Sequence, residues 1–207
     1  MTRLYITRHG QTFWNKERRM QGQSNSDLTP LGEKQAVALG KRMKDIELDG
    51  IYSSSAPRAL QTALLIRGNR PLDIIQEDDL REMYLGSWQG RLTSEVEMED
   101  PEMTDNFWHH PEKYIRDDAE SYLQLKERAG KKIEEIAAGN KNKSILVVTH
   151  GVVMKALRSY FQNQPISEIA NYPKSPMSTS LSIVEKRDGA WNILQWNDTA
   201  HYELIEE

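Results

Sequence analysis

Two histidines stand in matching company in this chain. Tyr5-Ile6-Thr7 runs straight into Arg8-His9-Gly10, and Val147-Val148-Thr149 runs into His150-Gly151. Each run has strand character and ends in an imidazole. The glycine that follows lets the backbone turn sharply and lets a ligand come close. Taken singly, either histidine reads as an ordinary polar residue at a strand end. Two matched pairs, one with an arginine beside it, favour a site. Histidine is also a common metal ligand. Neither histidine has a second ligand at i+3 or i+4, however, and Arg8 would repel a cation. The arrangement points to an anion.

Such a site needs elements to hold it. The first strand is expected over Arg3–Thr7. Gln11–Leu28 is polar and rich in Asn, Gln and Ser, and reads as loop. Thr29-Pro30 opens a helix, since Thr suits the N-cap and Pro the first helical position. Ala36, Leu39, Met43 and Ile46 then follow at helical spacing. A short strand is expected at Gly50–Ser53, a helix from Ala56-Pro57, and another short strand at Leu72–Ile75. From Thr93 to Asp118 the chain is acidic, aromatic and broken by Pro101 and Pro111, which reads as a partly helical, lid-like excursion. Glu120–Ala138 is an amphipathic helix. Ser144–Thr149 is almost wholly apolar, as a central strand covered on both faces would be. Val152–Phe161 is a buried helix, and Thr179–Lys186 and Trp191–Trp196 form two strands around a turn at Asp188-Gly189. Alternating strands and helices predict one domain over residues 1–207: a three-layer α/β/α sandwich with a largely parallel central sheet. In such sheets ligands bind beyond the carboxyl ends of strands, where both histidines lie.

Composition narrows the function. The chain has 207 residues, 38% apolar and 28% charged, as in a globular protein with a real core. A net charge of −4 argues against nucleic acid or an anionic membrane as main partner. No apolar run approaches a membrane span, and the N-terminal residues lack a signal-peptide pattern. There are no cysteines, which excludes disulfides, thiolate metal sites and cysteine nucleophiles. A cytoplasmic location is expected, and the sequons at Asn142 and Asn197 are coincidental.

Arg8-His9-Gly10 with Thr12 and Asn15, then Arg58, Glu82 and His150-Gly151, resembles the histidine phosphatase superfamily, also called phosphoglycerate mutase-like. The likeness runs from the first strand to the strand after Met177. The segments RRMQGQSNSDLTPLG and REMYLGSWQG look most like the small broad-specificity phosphatases of bacilli. The resemblance implies that His9 is the nucleophile that becomes phosphorylated. It implies that Arg8, Arg58 and His150 form the phosphate pocket, with Gly151 bordering it, and that Glu82 is the proton donor. Asn15 and the Gln21-Gly22 loop would touch phosphate or leaving group. One departure is Ala119-Glu120-Ser121, where relatives often carry Gly-Glu-Ser.

The chemistry fits these residue types. A phosphomonoester carries nearly two negative charges at neutral pH. Two arginines can neutralise it, each gripping two oxygens, and fixed cations stabilise the charge spread over the transferring phosphoryl group. His9 must attack as neutral imidazole, its tautomer fixed by some backbone carbonyl. His150, held against phosphate, would gain from being charged. Glu82 would protonate the leaving alkoxide and then deprotonate water. No P-loop and no aspartate cluster suited to Mg²⁺ appears, so neither a cofactor nor a metal is expected, and the partner is a small-molecule phosphomonoester. The rivals are a mutase, a phosphatase dedicated to one metabolite, and an inactive relative that only binds phosphate. Chain length counts against the mutase, and the filled catalytic positions against the inactive relative. His109-His110 is expected to be solvated, and Trp88, Trp191 and Trp196 to pack. Arg18-Arg19 is either a solvated pair or a reach towards a second anionic group. Trp14, Met20 and Phe107 suit either a sparsely polar pocket or core.

Overall fold

The computed structural model describes residues 1–172 and 175–205. In chain order its elements are β1 (Thr2–Arg8), α1 (Phe13–Glu17), α2 (Pro30–Arg42), β2 (Gly50–Ser54), α3 (Pro57–Arg67) and β3 (Ile74–Glu77). Then come α4 (Thr93–Glu99), α5 (Pro101–His109), α6 (Tyr122–Gly139), β4 (Ser144–Thr149), α7 (Gly151–Phe161), β5 (Leu181–Arg187) and β6 (Ala190–Asp198). The strands make one sheet in the order β3-β2-β4-β1-β5-β6. The first four are parallel, while β5 runs antiparallel to β1 and β6 to β5.

Both faces of the sheet are covered, which gives the three layers the pattern predicts. On β4, Ile145 and Val147 join one core with Leu125 and Ile133 of α6 and Met154 and Leu157 of α7. Leu146 and Val148 join the other with Ala36 and Leu39 of α2 and Ala63 and Ile66 of α3. That double burial explains why SILVVT shows no polar alternation.

The boundaries that moved have local causes. The third strand lies at Ile74–Glu77 rather than Leu72–Ile75, because Leu72 N–H closes a turn onto Arg70 O at 2.8 Å. It is an edge strand, so Gln76 faces solvent without penalty, and Glu77 pairs with Lys132 at 3.1 Å. Within the segment expected to be all loop, Phe13–Glu17 forms a short helix on a capping box of Thr12 and Asn15. The excursion folds into α4 and α5, the latter started by the Asp100 cap with Pro101 in its first turn. Helix α6 begins after the Ser121 cap rather than at Glu120. Asp188 and Gly189 both take positive φ (51° and 85°), as a two-residue hairpin turn requires.

Candidate active site

The sheet register brings the two histidines together. β1 and β4 are neighbours aligned from Arg3↔Ser144 to Arg8↔Thr149, so His9 and His150 leave the sheet side by side. Their ring centroids are 5.2 Å apart. His9 N–H bonds Thr149 O at 2.9 Å, tying the two tips. Gly10 then passes so close to the first turn of α2 that a Cβ on it would lie 2.5 Å from Gly32 O. Glycine is required there by contact, not by dihedral.

The His9 ring is buried, with Nδ1 2.7 Å from Gly10 O. A carbonyl only accepts, so Nδ1 carries the hydrogen and Nε2 keeps its lone pair. The carbonyl that orients His9 is therefore that of the next residue. Burial, then the Arg58 and Arg8 cations, holds its pKa well below the ordinary histidine value. His150 Nε2 lies 2.8 Å from Ser54 Oγ, while its Nδ1 is buried without a hydrogen-bond partner among the described residues. Its pKa too is driven well down by burial, then by Arg58 and His9. In the pocket as the protein alone builds it, burial and the Arg58 charge favour the neutral ring, while the gain expected from charging His150 belongs to the pocket that holds phosphate.

The arginines are anchored by backbone rather than by acids. Arg8 Nη1 donates to Pro176 O at 2.9 Å. Arg58, only 1% exposed in the first turn of α3, donates through Nη1 to Ser24 O and through Nη2 to Gly22 O, each at 2.7 Å. In both guanidiniums Nε is buried and unpartnered among the described residues. Burial pushes the Arg58 pKa down to about 10. Arg58 thus also pins the 22–24 loop. That loop needs Gly22, whose φ is +52° and whose Cβ would lie 2.4 Å from Gln89 Oε1.

Glu82 meets the start of α7. Its Oε1 accepts from Met83 N at 3.0 Å and Val153 N at 3.3 Å, and its Oε2 from Val152 N at 3.2 Å. The carboxylate thus sits at the positive end of a helix that has no acid of its own in its first turn. Glu120 and Arg128 hold the loop behind it. Arg128 grips both Glu120 oxygens at 2.8 Å and donates to Asp79 O and Arg81 O, while Glu120 N–H bonds Tyr84 O at 2.9 Å. The Glu120 region, singled out only as a departure from the family pattern, is this clamp.

Arg8, His9, Asn15, Gln21, Gly22, Arg58, Glu82 and Gly151 all line one cavity of about 250 Å³. His150 lies behind it, touching His9. Gln21 Nε2 donates to Thr12 Oγ1 at 2.9 Å, and Asn15 Oδ1 accepts from Thr12 N at 3.1 Å, so both amides are locked by one threonine. Met20, Phe107, Arg18 and Arg19 also reach the cavity. His109 and His110 are exposed beside Asp105 and outside it. Sequence reasoning missed Ser54, Trp108 and Lys155. The signal for Lys155 was present: it is one of two cations in the otherwise apolar helix GVVMKALRSYF.

The profile of the histidine phosphatase superfamily (branch 1) matches residues 4–199. A metal-independent phosphoserine phosphatase of Arabidopsis thaliana is 35% identical over 99% of this chain and 85% of its own length. The solved structure of YhfR from Bacillus stearothermophilus superposes with a TM-score of 0.94 at 39% identity, over all of both chains. A phosphoserine phosphatase of Entamoeba histolytica, solved with 3-phosphoglyceric acid, gives 0.85 at 26% identity over 97% of this chain and 99% of its own.

Proposed function

The chain belongs to the histidine phosphatase superfamily, and from that premise we propose that the cavity hydrolyses small phosphomonoesters in two steps, with His9 carrying the phosphoryl group between them. The observation that supports this most is the His9 ring itself: Nδ1–H is spent on Gly10 O, which leaves Nε2 as a nucleophile near Arg8 and Arg58, whose buried Nε donors are spare. In the first step Nε2 bonds phosphorus, the ester P–O bond breaks, and Glu82 gives its proton to the departing alkoxide. In the second, Glu82 takes a proton from water, the hydroxide bonds phosphorus, and the N–P bond breaks to release inorganic phosphate. Arg8, Arg58 and the first turn of α7 at Gly151 balance the charge on the phosphoryl oxygens. Ser54 Oγ already accepts from Ala56 N–H, so its own proton is available to His150 Nε2. His150 Nδ1–H then becomes a further donor to phosphate. Asn15, Gln21 and Gly22 complete the pocket's lining.

Met20, Leu85, Phe107, Trp108 and Val152 give the cavity lining apolar surface, which supports tolerance of many alcohol groups. The relatives' activities, one of them metal-independent, support a reaction that needs no metal. A cysteine-free chain suits the cytoplasm. The test is phosphate release from a panel of phosphomonoesters, with EDTA present. Release from several members, abolished by His9→Ala, is the expected result. Loss of activity on chelation would overturn the metal-free mechanism, and a single dominant substrate would overturn the breadth.

A further inference from the structure

The pairing of β1 with β5 ends at Thr7↔Leu181, short of Arg8 and His9. The segment before β5 takes over from it. Thr179 N–H lies 3.0 Å from Arg8 O and 3.4 Å from His9 O. Pro176 O accepts from Arg8 Nη1, and Ser175 and Pro176 line the cavity. Residues 175–180 therefore hold the backbone of both residues and the guanidinium of one.

This segment belongs to no helix or strand, and it is braced from behind by the chain after β5. Asn197, near the end of β6, spans it with one amide. Its Oδ1 accepts from Met177 N–H at 2.8 Å, and its Nδ2 donates to Ser175 O at 3.3 Å. The Tyr202 hydroxyl donates to Ser178 O. His201 Nε2 and Thr179 Oγ1 share a hydrogen bond at 3.0 Å. Asp198 accepts from Ala200 N–H at 2.9 Å and pairs with Arg42, which ties the brace to α2. Two features of this link work against stability. Thr179 takes φ +53°, a left-handed conformation that is an outlier for a β-branched residue. His201 is 1% exposed, with Nδ1 buried and without a hydrogen-bond partner among the described residues. Strain and an unmet polar atom on the link to a nucleophile mark a contact kept for placement.

Resting on the phosphatase reading of this site, we infer that Asn197 and His201 are positioning residues: through residues 175–180 they set where the Arg8 guanidinium lies and where the His9 backbone leaves the sheet. Neither side chain lines the cavity. Their effect falls on the phosphoryl group, which every phosphomonoester shares, and not on the leaving group, which Glu82 serves. A small displacement of Arg8 or His9 costs both phosphate affinity and rate, because each depends on aligned groups.

The test is calorimetric titration of inorganic phosphate into the full chain as wild type, Asn197→Gly, His201→Leu and His201→Gln. Asn197 has φ +57°, which glycine adopts freely, so Asn197→Gly removes the amide without new strain. Phosphate binding should weaken about tenfold in Asn197→Gly and in His201→Leu, the scale of one charge-assisted hydrogen bond. Glutamine keeps a polar group opposite Thr179, so His201→Gln should bind within about twofold of wild type. The stoichiometry reports the folded fraction and the dissociation constant reports the geometry, so partial unfolding does not imitate the effect. In the two weakened variants kcat should fall by a similar factor on an alkyl phosphate and on a nitrophenyl ester. Unchanged phosphate affinity in both would overturn the assignment, and so would a kcat loss confined to the alkyl ester. If the wild type hydrolyses neither ester while these affinities still fall, the phosphatase reading falls and the positioning role stands.

Discussion

His9 and His150 are both buried and both held below the ordinary histidine pKa, and their hydrogen-bond partners set them apart. A carbonyl partner obliges His9 to donate through Nδ1, whereas a hydroxyl partner lets His150 accept through Nε2. The sequence shows both rings at strand tips but not these partners, because one is the carbonyl of the turn after β1 and the other a hydroxyl at the end of β2, brought in only by the fold. The consequence is measurable by NMR. Both rings should stay neutral well below pH 6.5, since a lowered pKa extends the neutral range towards acid. A His9 titration midpoint near 6.5 in the free protein would contradict the burial argument. At Glu82 the expected effect is chemical. Glu82→Gln should slow hydrolysis of alkyl phosphates by roughly 10²–10⁴-fold, because the leaving alkoxide needs a proton. It should cost much less with a nitrophenyl ester, whose leaving group departs unaided. Equal losses on both substrates would remove Glu82 from the acid role.

The elements reach the active site through supports that the sequence hides. Thr29-Pro30, the apolar β4 and the turn at Asp188-Gly189 were legible because cap, period and turn chemistry are local. The clamp from α6 to the Glu82 loop was not legible, because Glu120 and Arg128 look like any solvated pair until the fold sets them against Asp79, Arg81 and Tyr84. Its role gives a prediction that a merely structural pair would not. Arg128→Met should lower kcat on alkyl phosphates about ten- to a hundredfold, as a catalytic group slightly displaced does. Nitrophenyl ester turnover should change little, following the Glu82 pattern. A uniform loss on both esters would make the clamp a general brace. Gly22 supports the other rim. Gly22→Ala should cost about 1–2 kcal/mol from its left-handed backbone alone, with more from the clash at Gln89. Thermal unfolding would show this as a drop of several degrees.

On the scale of the whole molecule, buried histidines couple the fold to pH. His9, His150 and His201 are neutral in the folded protein but protonate near pH 6.5 when unfolded. Their folded pKa values are lower, so the unfolded chain binds more protons in this window. Stability is therefore full above about 6.5 and falls as the pH drops. For His201 the window reaches down to about 4, because burial, then the Arg42 charge, lowers it. Each such group contributes a slope of about 1.4 kcal/mol per pH unit. Denaturant unfolding from pH 7 to 4.5 should show this decline, and His201→Gln should flatten it. An unchanged slope would mean that His201 does not titrate in this range.

The position of β1 in the sheet bears on how the chain is made. It lies between β4 and β5, central in space yet earliest in sequence, and its first partner is Ser144–Thr149. During synthesis β1 must wait for well over a hundred residues with both edges bare, while β2 and β3 can pair at once. Contacts so distant in sequence slow folding and leave apolar strand edges open to association. A ribosome-bound chain ending before β4 would carry Arg8 and His9 but not His150, with the strand that holds the first two still unpaired.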